Sequence, residues 1–269
     1  MRRFWSTLLP IGPLLLAGAA SGQGYVALEL DGAAGATFVG GNSVAPAGDV
    51  DGDGVPDVIV GAPSAFDGFG RARIYSGATG ATLRTFASSV QNDQFGFSVA
   101  GVGDLDGDGM GDVIVGILQS SAGGVTAAGR ATAFSGATGL PLWSRDGTQP
   151  FDFLGSAVAR VGDLDGDGVE DPAVGVIYGD NGSAFDAGRV EVLSGATGAP
   201  ILLVVGSGVA EYLGASLAGP GDVSGDGIPD LLAGVRGADP AGSTNAGAVR
   251  LLSGADGTIL YQFPGAGPG

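Results

Sequence analysis

Asp49-Val50-Asp51-Gly52-Asp53-Gly54-Val55-Pro56-Asp57 places aspartates at positions 1, 3, 5 and 9 of a nine-residue stretch, with glycine at position 6. The chain writes the pattern again at Asp104, Asp106, Asp108 and Asp112 and at Asp163, Asp165, Asp167 and Asp171. A fourth copy runs through Asp222, Ser224, Asp226 and Asp230. A hard cation such as Ca²⁺ takes about six to eight oxygens from a flexible loop, and carboxylates at 1, 3 and 5 of a tight turn converge on one point. Glycine at position 6 permits the bend. Position 7 offers a backbone carbonyl, so its side chain is free to vary: Val55, Met110, Val169 and Ile228. The carboxylate at 9 closes the shell. Asp and Gly also build plain turns, but clustered carboxylates repel when no cation is bound. Four copies in one register favour a metal, and oxygen-only ligands favour calcium over Mg²⁺, which prefers fewer carboxylates and keeps more water. The expected cofactor is about four Ca²⁺ ions.

An EF-hand needs a bidentate Glu at position 12, and here position 12 is Val60, Val115, Val174 and Ala233. Val58-Ile59-Val60-Gly61 and Val113-Ile114-Val115-Gly116 instead predict short buried strands after the loop. Aligned on the first aspartate, a glycine stands eight residues upstream (Gly41, Gly96, Gly155, Gly214), preceded by an aromatic (Phe38, Phe95, Phe153, Tyr212). Downstream come a second glycine (Gly61, Gly116, Gly175, Gly234) and a Ser-Gly turn at Ser76, Ser135, Ser194 and Ser253. The unit predicted is four short antiparallel strands in 55–59 residues, with the acidic loop between the first and second. Such a unit is the blade of an all-β propeller; the repeats of a parallel β-helix are shorter.

The repeat resembles the FG-GAP repeat of the integrin α-subunit propeller and its bacterial secreted relatives, over nearly all of residues 25–263. Phe95-Gly96 and Gly61-Ala62-Pro63 are the two signatures. Phe153-Leu154-Gly155 and Tyr212-Leu213-Gly214 depart from the first by an insertion, and Gly116-Ile117-Leu118 loses the Ala-Pro of the second. The resemblance implies calcium in the strand 1–2 hairpins on one face and ligand-binding loops on the other. Blades are expected at about 37–90, 91–149, 150–208 and 209–263, inside a domain spanning 23–269. The family usually closes with seven blades, so four suggest a fragment of a longer propeller or an arc completed by a partner. A strand expected at Tyr25–Leu30 adds a spare fourth strand that a closed four-bladed ring does not need.

Glycine and proline make up about a quarter of the 269 residues, yet 44% are hydrophobic and the glycines recur at fixed places, which predicts folded β structure with many turns. The net charge is −17, and more than half of the 28 acidic residues sit at the loop positions. That balance argues against nucleic acid as a partner. Absence of His, Cys and Lys excludes imidazole-based acid–base chemistry, thiol nucleophiles, Schiff bases, zinc–thiolate sites and disulfides. Arg2-Arg3, an apolar stretch from Leu8 to Ala20 and the small residues Ala17-Gly18-Ala19 predict an export signal over residues 1–22. The stretch is short and broken by Pro10 and Pro13, so no membrane span is expected in the mature chain, which is placed outside the cell or at its surface.

The strand 2–3 connections, about residues 62–70, 117–129, 176–188 and 235–247, lie opposite the acidic loops. They carry Asp67, Tyr178, Asp180, Phe185, Asp186, Arg236 and Asp239, candidates for recognition on a rigid scaffold. An enzyme would need paired carboxylates elsewhere. Glu191 and Glu211 are the candidates, but nothing places them together, and Glu191 alternates within a strand as an exposed residue does. The function expected is a calcium-binding extracellular scaffold for protein or glycan recognition or cell-surface adhesion, and not an enzyme. The rival is a non-catalytic appendage of a secreted polysaccharide-degrading enzyme.

Overall fold

The computed structural model describes residues 43–63, 68–239 and 246–265. The expected export signal, the strand at 25–30, Phe38, Gly41 and Asp67 lie outside these residues. The described chain is all β, apart from a 3-10 turn at Ala122–Gly124. Its strands form four sheets, each a simple antiparallel meander of four. Blade 1 holds β1 (Ser43–Gly48), β2 (Asp57–Ala62), β3 (Arg71–Tyr75) and β4 (Thr82–Ala87). Blade 2 holds β5 (Phe95–Gly103), β6 (Asp112–Ile117), β7 (Arg130–Phe134) and β8 (Pro141–Asp146). Blade 3 holds β9 (Leu154–Gly162), β10 (Asp171–Val176), β11 (Arg189–Leu193) and β12 (Pro200–Val205). Blade 4 holds β13 (Leu213–Gly221), β14 (Asp230–Val235), β15 (Ala248–Leu252) and β16 (Ile259–Pro264).

The first strands pack in series, β1 on β5, β5 on β9 and β9 on β13, which makes them the inner strands of a β-propeller arc. Their Gly, Ala and Ser residues suit that crowded position. Among the described residues, no strand pairing closes blade 4 onto blade 1. Three apolar clusters fill the blade-to-blade spaces, one per junction. The first joins Ile59, Ile74 and Phe86 of blade 1 to Phe95, Val99, Val113 and Val115 of blade 2. At each junction the strand-2 glycine lets two backbones touch. A Cβ added to Gly61, Gly116 or Gly175 would sit 2.1–2.2 Å from the carbonyl oxygen of Gly96, Gly155 or Gly214 in the next blade. That contact is why the two glycines of the repeat recur together.

The structure corrects one reading of the repeat. Phe153-Leu154-Gly155 and Tyr212-Leu213-Gly214 contain no insertion. Leu154 and Leu213 occupy the buried place of Phe95 at the start of the inner strand. Phe153 and Tyr212 align instead with Gln94, and all three have positive φ (58°, 57° and 60°). The aromatic has moved one position along the chain without lengthening it.

A candidate calcium centre in each blade

Each acidic loop joins the first two strands of its blade, where the antiparallel ladder shifts register just before the loop, as between Pro46 and Gly48 and between Gly101 and Gly103. Positions 4 and 6 are glycines of positive φ in every copy, for example Gly52 at 78° and Gly54 at 83°. This left-handed backbone favours glycine. The loop is shaped by its own carboxylates. The amides of Gly52 and Gly54 donate to the two oxygens of Asp49 (2.8 and 2.9 Å), and Val55 N–H donates to Asp53 (2.8 Å). The same bonds recur from Gly107 and Gly109 to Asp104, from Gly166 and Gly168 to Asp163, and from Gly225 and Gly227 to Asp222. Met110, Val169 and Ile228 donate to the position-5 aspartates Asp108, Asp167 and Asp226.

Single carboxylate oxygens of Asp49, Asp51 and Asp53 lie within 4.8 Å of one another, as do those of Asp104, Asp106 and Asp108, and of Asp163, Asp165 and Asp171. A preorganised set of hard oxygens with lone pairs to spare fits a calcium ion. The fourth loop presents Asp222 and Asp226 with Ser224 between them, and the Ser224 hydroxyl donates to Asp222 (3.3 Å). The amides of Gly227 and Gly225 hold the Asp222 carboxyl below its usual range.

The fourth aspartate has a role that its spacing does not disclose. Asp57, Asp112, Asp171 and Asp230 are buried, and each uses both oxygens on backbone amides. Asp112 accepts from Leu105 N–H (2.7 Å) inside its own loop and from Gly136 N–H (2.9 Å) in the Ser-Gly turn between β7 and β8. Asp57 joins Val50 to Gly77, Asp171 joins Leu164 to Gly195, and Asp230 joins Val223 to Gly254. This residue bolts the acidic loop to the outer half of its blade. Burial outweighs the Gly136 and Leu105 amides and lifts Asp112 to about 6, with Asp106 and Asp108 pushing the same way. Burial raises Asp171 likewise.

The opposite end of the arc carries a row of side chains from the blade links and the strand 2–3 connections. Phe153 meets Tyr178 edge-on (5.4 Å between ring centres), Tyr178 meets Tyr212 (5.5 Å), and the Arg236 guanidinium lies over the Tyr212 ring (4.7 Å). Asp180 accepts from Asp186 N–H, which closes the blade 3 connection on itself, and Phe185 is exposed.

A family model described as FG-GAP repeat matches residues 40–75 and 213–252. Integrin alpha-V of Gallus gallus is 34% identical over 208 residues, which is 72% of this chain and 20% of that protein. The chain is an FG-GAP repeat protein. It is also similar to integrin alpha-5 of Xenopus laevis (29% over 206 residues, 70% of this chain and 19% of the relative) and to integrin alpha-IIb of Homo sapiens (33% over 209 residues, 71% and 19%). The FG-GAP chain spans about a fifth of the length of the curated relatives it matches. Among its described residues, no helix is long and apolar enough to cross a membrane.

Within the FG-GAP blades the two carboxylates weighed for catalysis are far from free. Glu191 is 5% exposed, a correction to the exposed position that its alternation suggests. Both faces of an inner blade are covered, so alternation there no longer separates inside from outside. Glu191 pairs with Arg145 of blade 2 (2.9 Å) and with Arg189 (3.4 Å), which also binds buried Asp152 (2.7 Å). Glu211 receives Arg250 (2.8 Å) and Ser207 N–H (2.9 Å). Asp93, Asp152 and Glu211 each stand eleven residues before a loop, a repeat signal that sequence reasoning missed.

Burial pushes the Glu211 carboxyl up, but Arg250 and the amides of Gly208 and Ser207 outweigh it and hold it below its ordinary value. A carboxylate depressed by folding adds stability above its unfolded pKa, and that stability is lost as pH falls through the lower folded value. Glu211→Gln is therefore expected to cost about 1–3 kcal/mol near pH 7, the worth of a hydrogen bond to a charged group. It should also flatten the acid side of the stability profile below about pH 4.5. Melting curves at neutral and acid pH check this; parallel profiles for the two proteins would show that Glu211 is not the ionised partner.

Proposed function

We propose that the chain is a calcium-binding extracellular propeller scaffold that recognises a protein or glycan partner, as in cell-surface adhesion. The observation that carries this reading is a set of three carboxylates with oxygens within 4.8 Å of one another in each of the first three loops. Asp49, Asp51 and Asp53 would hold one ion, with the Val55 carbonyl and Asp57 completing the set. Asp104, Asp106, Asp108, Met110 and Asp112 would form the second set, and Asp163, Asp165, Asp167, Val169 and Asp171 the third. Asp222, Ser224, Asp226, Ile228 and Asp230 would form the fourth. A bound cation supplies charge neutralisation and a crosslink between the two strands that the loop joins. Carriage on integrin-like blades supports an extracellular setting. A non-catalytic role is supported by the arginines that neutralise Glu191 and Glu211. The row Phe153–Tyr178–Tyr212–Arg236 supplies aromatic and cationic contacts at the end remote from the metal loops.

The test is to measure bound calcium per chain by calorimetry and, on the same preparation, retention on an array of matrix proteins and glycans. About four sites are expected, with retention lost in Tyr178→Ala and Arg236→Ala. A chain that takes up no calcium, or whose retention ignores both substitutions, overturns the corresponding half of the reading.

A further inference from the structure

Asp93, Asp152 and Glu211, the carboxylates that stand eleven residues before a loop, lie in the three links between blades, and their partners differ. Between blades 2 and 3, Asp152 receives Arg189 (2.7 Å), which also reaches Glu191 (3.4 Å). Glu191 in turn takes Arg145 from blade 2 (2.9 Å). Between blades 3 and 4, Glu211 receives Arg250 (2.8 Å). Between blades 1 and 2 the same positions are occupied differently. Thr132 stands where blade 3 has Glu191. Arg130, the counterpart of Arg189, is held by Asp146 through two hydrogen bonds (2.5 and 2.9 Å). Asp93 accepts instead from the Ser88 hydroxyl and from Phe95 N–H (3.1 Å).

Beside Asp93 and Thr132 there is a groove of about 510 Å³, between blade 2 and the link that leads into it. Small-molecule sites fall in the range of about 300–1,000 Å³. Asp93, Ser120 and Thr132 are 7%, 8% and 5% exposed, yet all three line the groove. Buried polar groups normally satisfy their hydrogen bonds within the protein. Here capacity is left over. The hydroxyls of Thr132 and Ser144 share one bond (3.0 Å), which leaves one hydrogen to donate and lone pairs on both oxygens. Ser120 Oγ accepts from Ala122 N–H (3.3 Å), a bond that leaves its own hydrogen to donate. Asp93 accepts its two bonds on a carboxylate with about four lone-pair sites. The half-buried ring of Phe134 supplies an apolar wall.

We infer that this groove binds a neutral saccharide, a ring whose hydroxyls both donate and accept. Sugar hydroxyls donate to Asp93 and accept from Ser120 and from the Thr132–Ser144 pair, while a C–H face of the ring packs on Phe134. Asp146 balances Arg130, so Asp93 leaves the groove with one negative charge in a chain of net charge −17. That field disfavours an anionic sugar or a phosphate. A guanidinium from a protein partner is the rival, because Arg189 fills this place at the next junction. Such a group would use Asp93 alone and leave the hydroxyls of Ser120, Thr132 and Ser144 without a ligand partner. The groove shares no residue with the Phe153–Tyr178–Tyr212–Arg236 row, so it stands or falls apart from the recognition reading above.

Calorimetric titration of the full chain in calcium with maltose, cellobiose and lactose tests the inference, with arginine amide as the competing probe. Binding of at least one disaccharide is expected. Ser144→Leu and Thr132→Glu install the residues that blade 3 carries at these places. Each is expected to weaken that binding about tenfold, the worth of about one good hydrogen bond. Ser144 is exposed, so Ser144→Leu is expected to melt as the parent does and keeps the test valid if Thr132→Glu does not fold. Tyr178→Ala is expected to bind the sugar as the parent does, which separates this groove from the row. No binding of any of the three sugars at millimolar concentration, binding of arginine amide alone, or a sugar affinity indifferent to both groove substitutions each overturns the inference.

Discussion

Asp112→Ala is expected to destabilise the calcium-free chain by about 2–6 kcal/mol, because it strands two buried amide donors at about 1–3 kcal/mol each. Those donors are Leu105 N–H and Gly136 N–H, and Asp112 itself is fully buried between them. Asp112→Asn keeps one acceptor oxygen but turns an NH₂ toward one of the two donors, so it is expected to lose most of the same stability. Asp106 makes a sharp control. It is exposed and accepts from Asp108 N–H at 3.2 Å. In chelator, Asp106→Ala is expected to stay within about 0.5 kcal/mol of the parent, as surface changes usually do. In calcium, Asp106→Ala is expected to lose one ion and the stability linked to it. Denaturant titration of both variants in chelator and in calcium separates the roles. Equal behaviour of the two variants in chelator would mean that Asp112 serves the metal and not the blade.

Saturating calcium is expected to raise the stability of the chelator-stripped chain by about 6–11 kcal/mol. This follows from four sites of about 10⁻⁴–10⁻³ M affinity, the range of extracellular modules, in roughly 10 mM calcium, each adding RT ln(1 + [Ca]/Kd). For a domain of this size that is a rise in melting temperature on the order of 20 °C. The gain reflects repulsion relieved. In Asp49, Asp51 and Asp53, or Asp104, Asp106 and Asp108, three carboxylates lie with oxygens within 4.8 Å of one another in loops shaped by backbone amides. The fourth loop should fill last, because Ser224 replaces a carboxylate, and Ser224→Asp should bring its affinity up to that of the others. Melting curves across a calcium series check both points. A melting temperature indifferent to calcium would reduce the aspartates to turn formers.

Acidic loops and a four-stranded unit were legible in the sequence because each rests on local spacing, and Phe95-Gly96 and Gly61-Ala62-Pro63 carried the resemblance to FG-GAP repeats. Aspartates two residues apart in a glycine turn converge in the first two loops as their spacing predicts. A strand that follows the turn announces itself by a β-branched run ending in glycine. The chain written as text also held the pairing of Gly61 with Gly96, though not its reason, a backbone contact between two blades.

Other features depended on partners far away in sequence. Asp112 looks like one more ligand until Gly136, 24 residues on, is seen to donate to it. Glu191 looks exposed until Arg145 arrives from the neighbouring blade, 46 residues away. The aromatics at 153 and 212 look like an insertion until the positive φ they share with Gln94 restores the register. The four repeats share one pattern in sequence, and packing adds a difference that the pattern does not show. Among the described residues, β6 and β10 are covered on both sides, while Val58 and Val249 are only partly covered. Short-range spacing determined the loops and the blade. Long-range burial decided which aspartate holds the blade together and which junction keeps a groove.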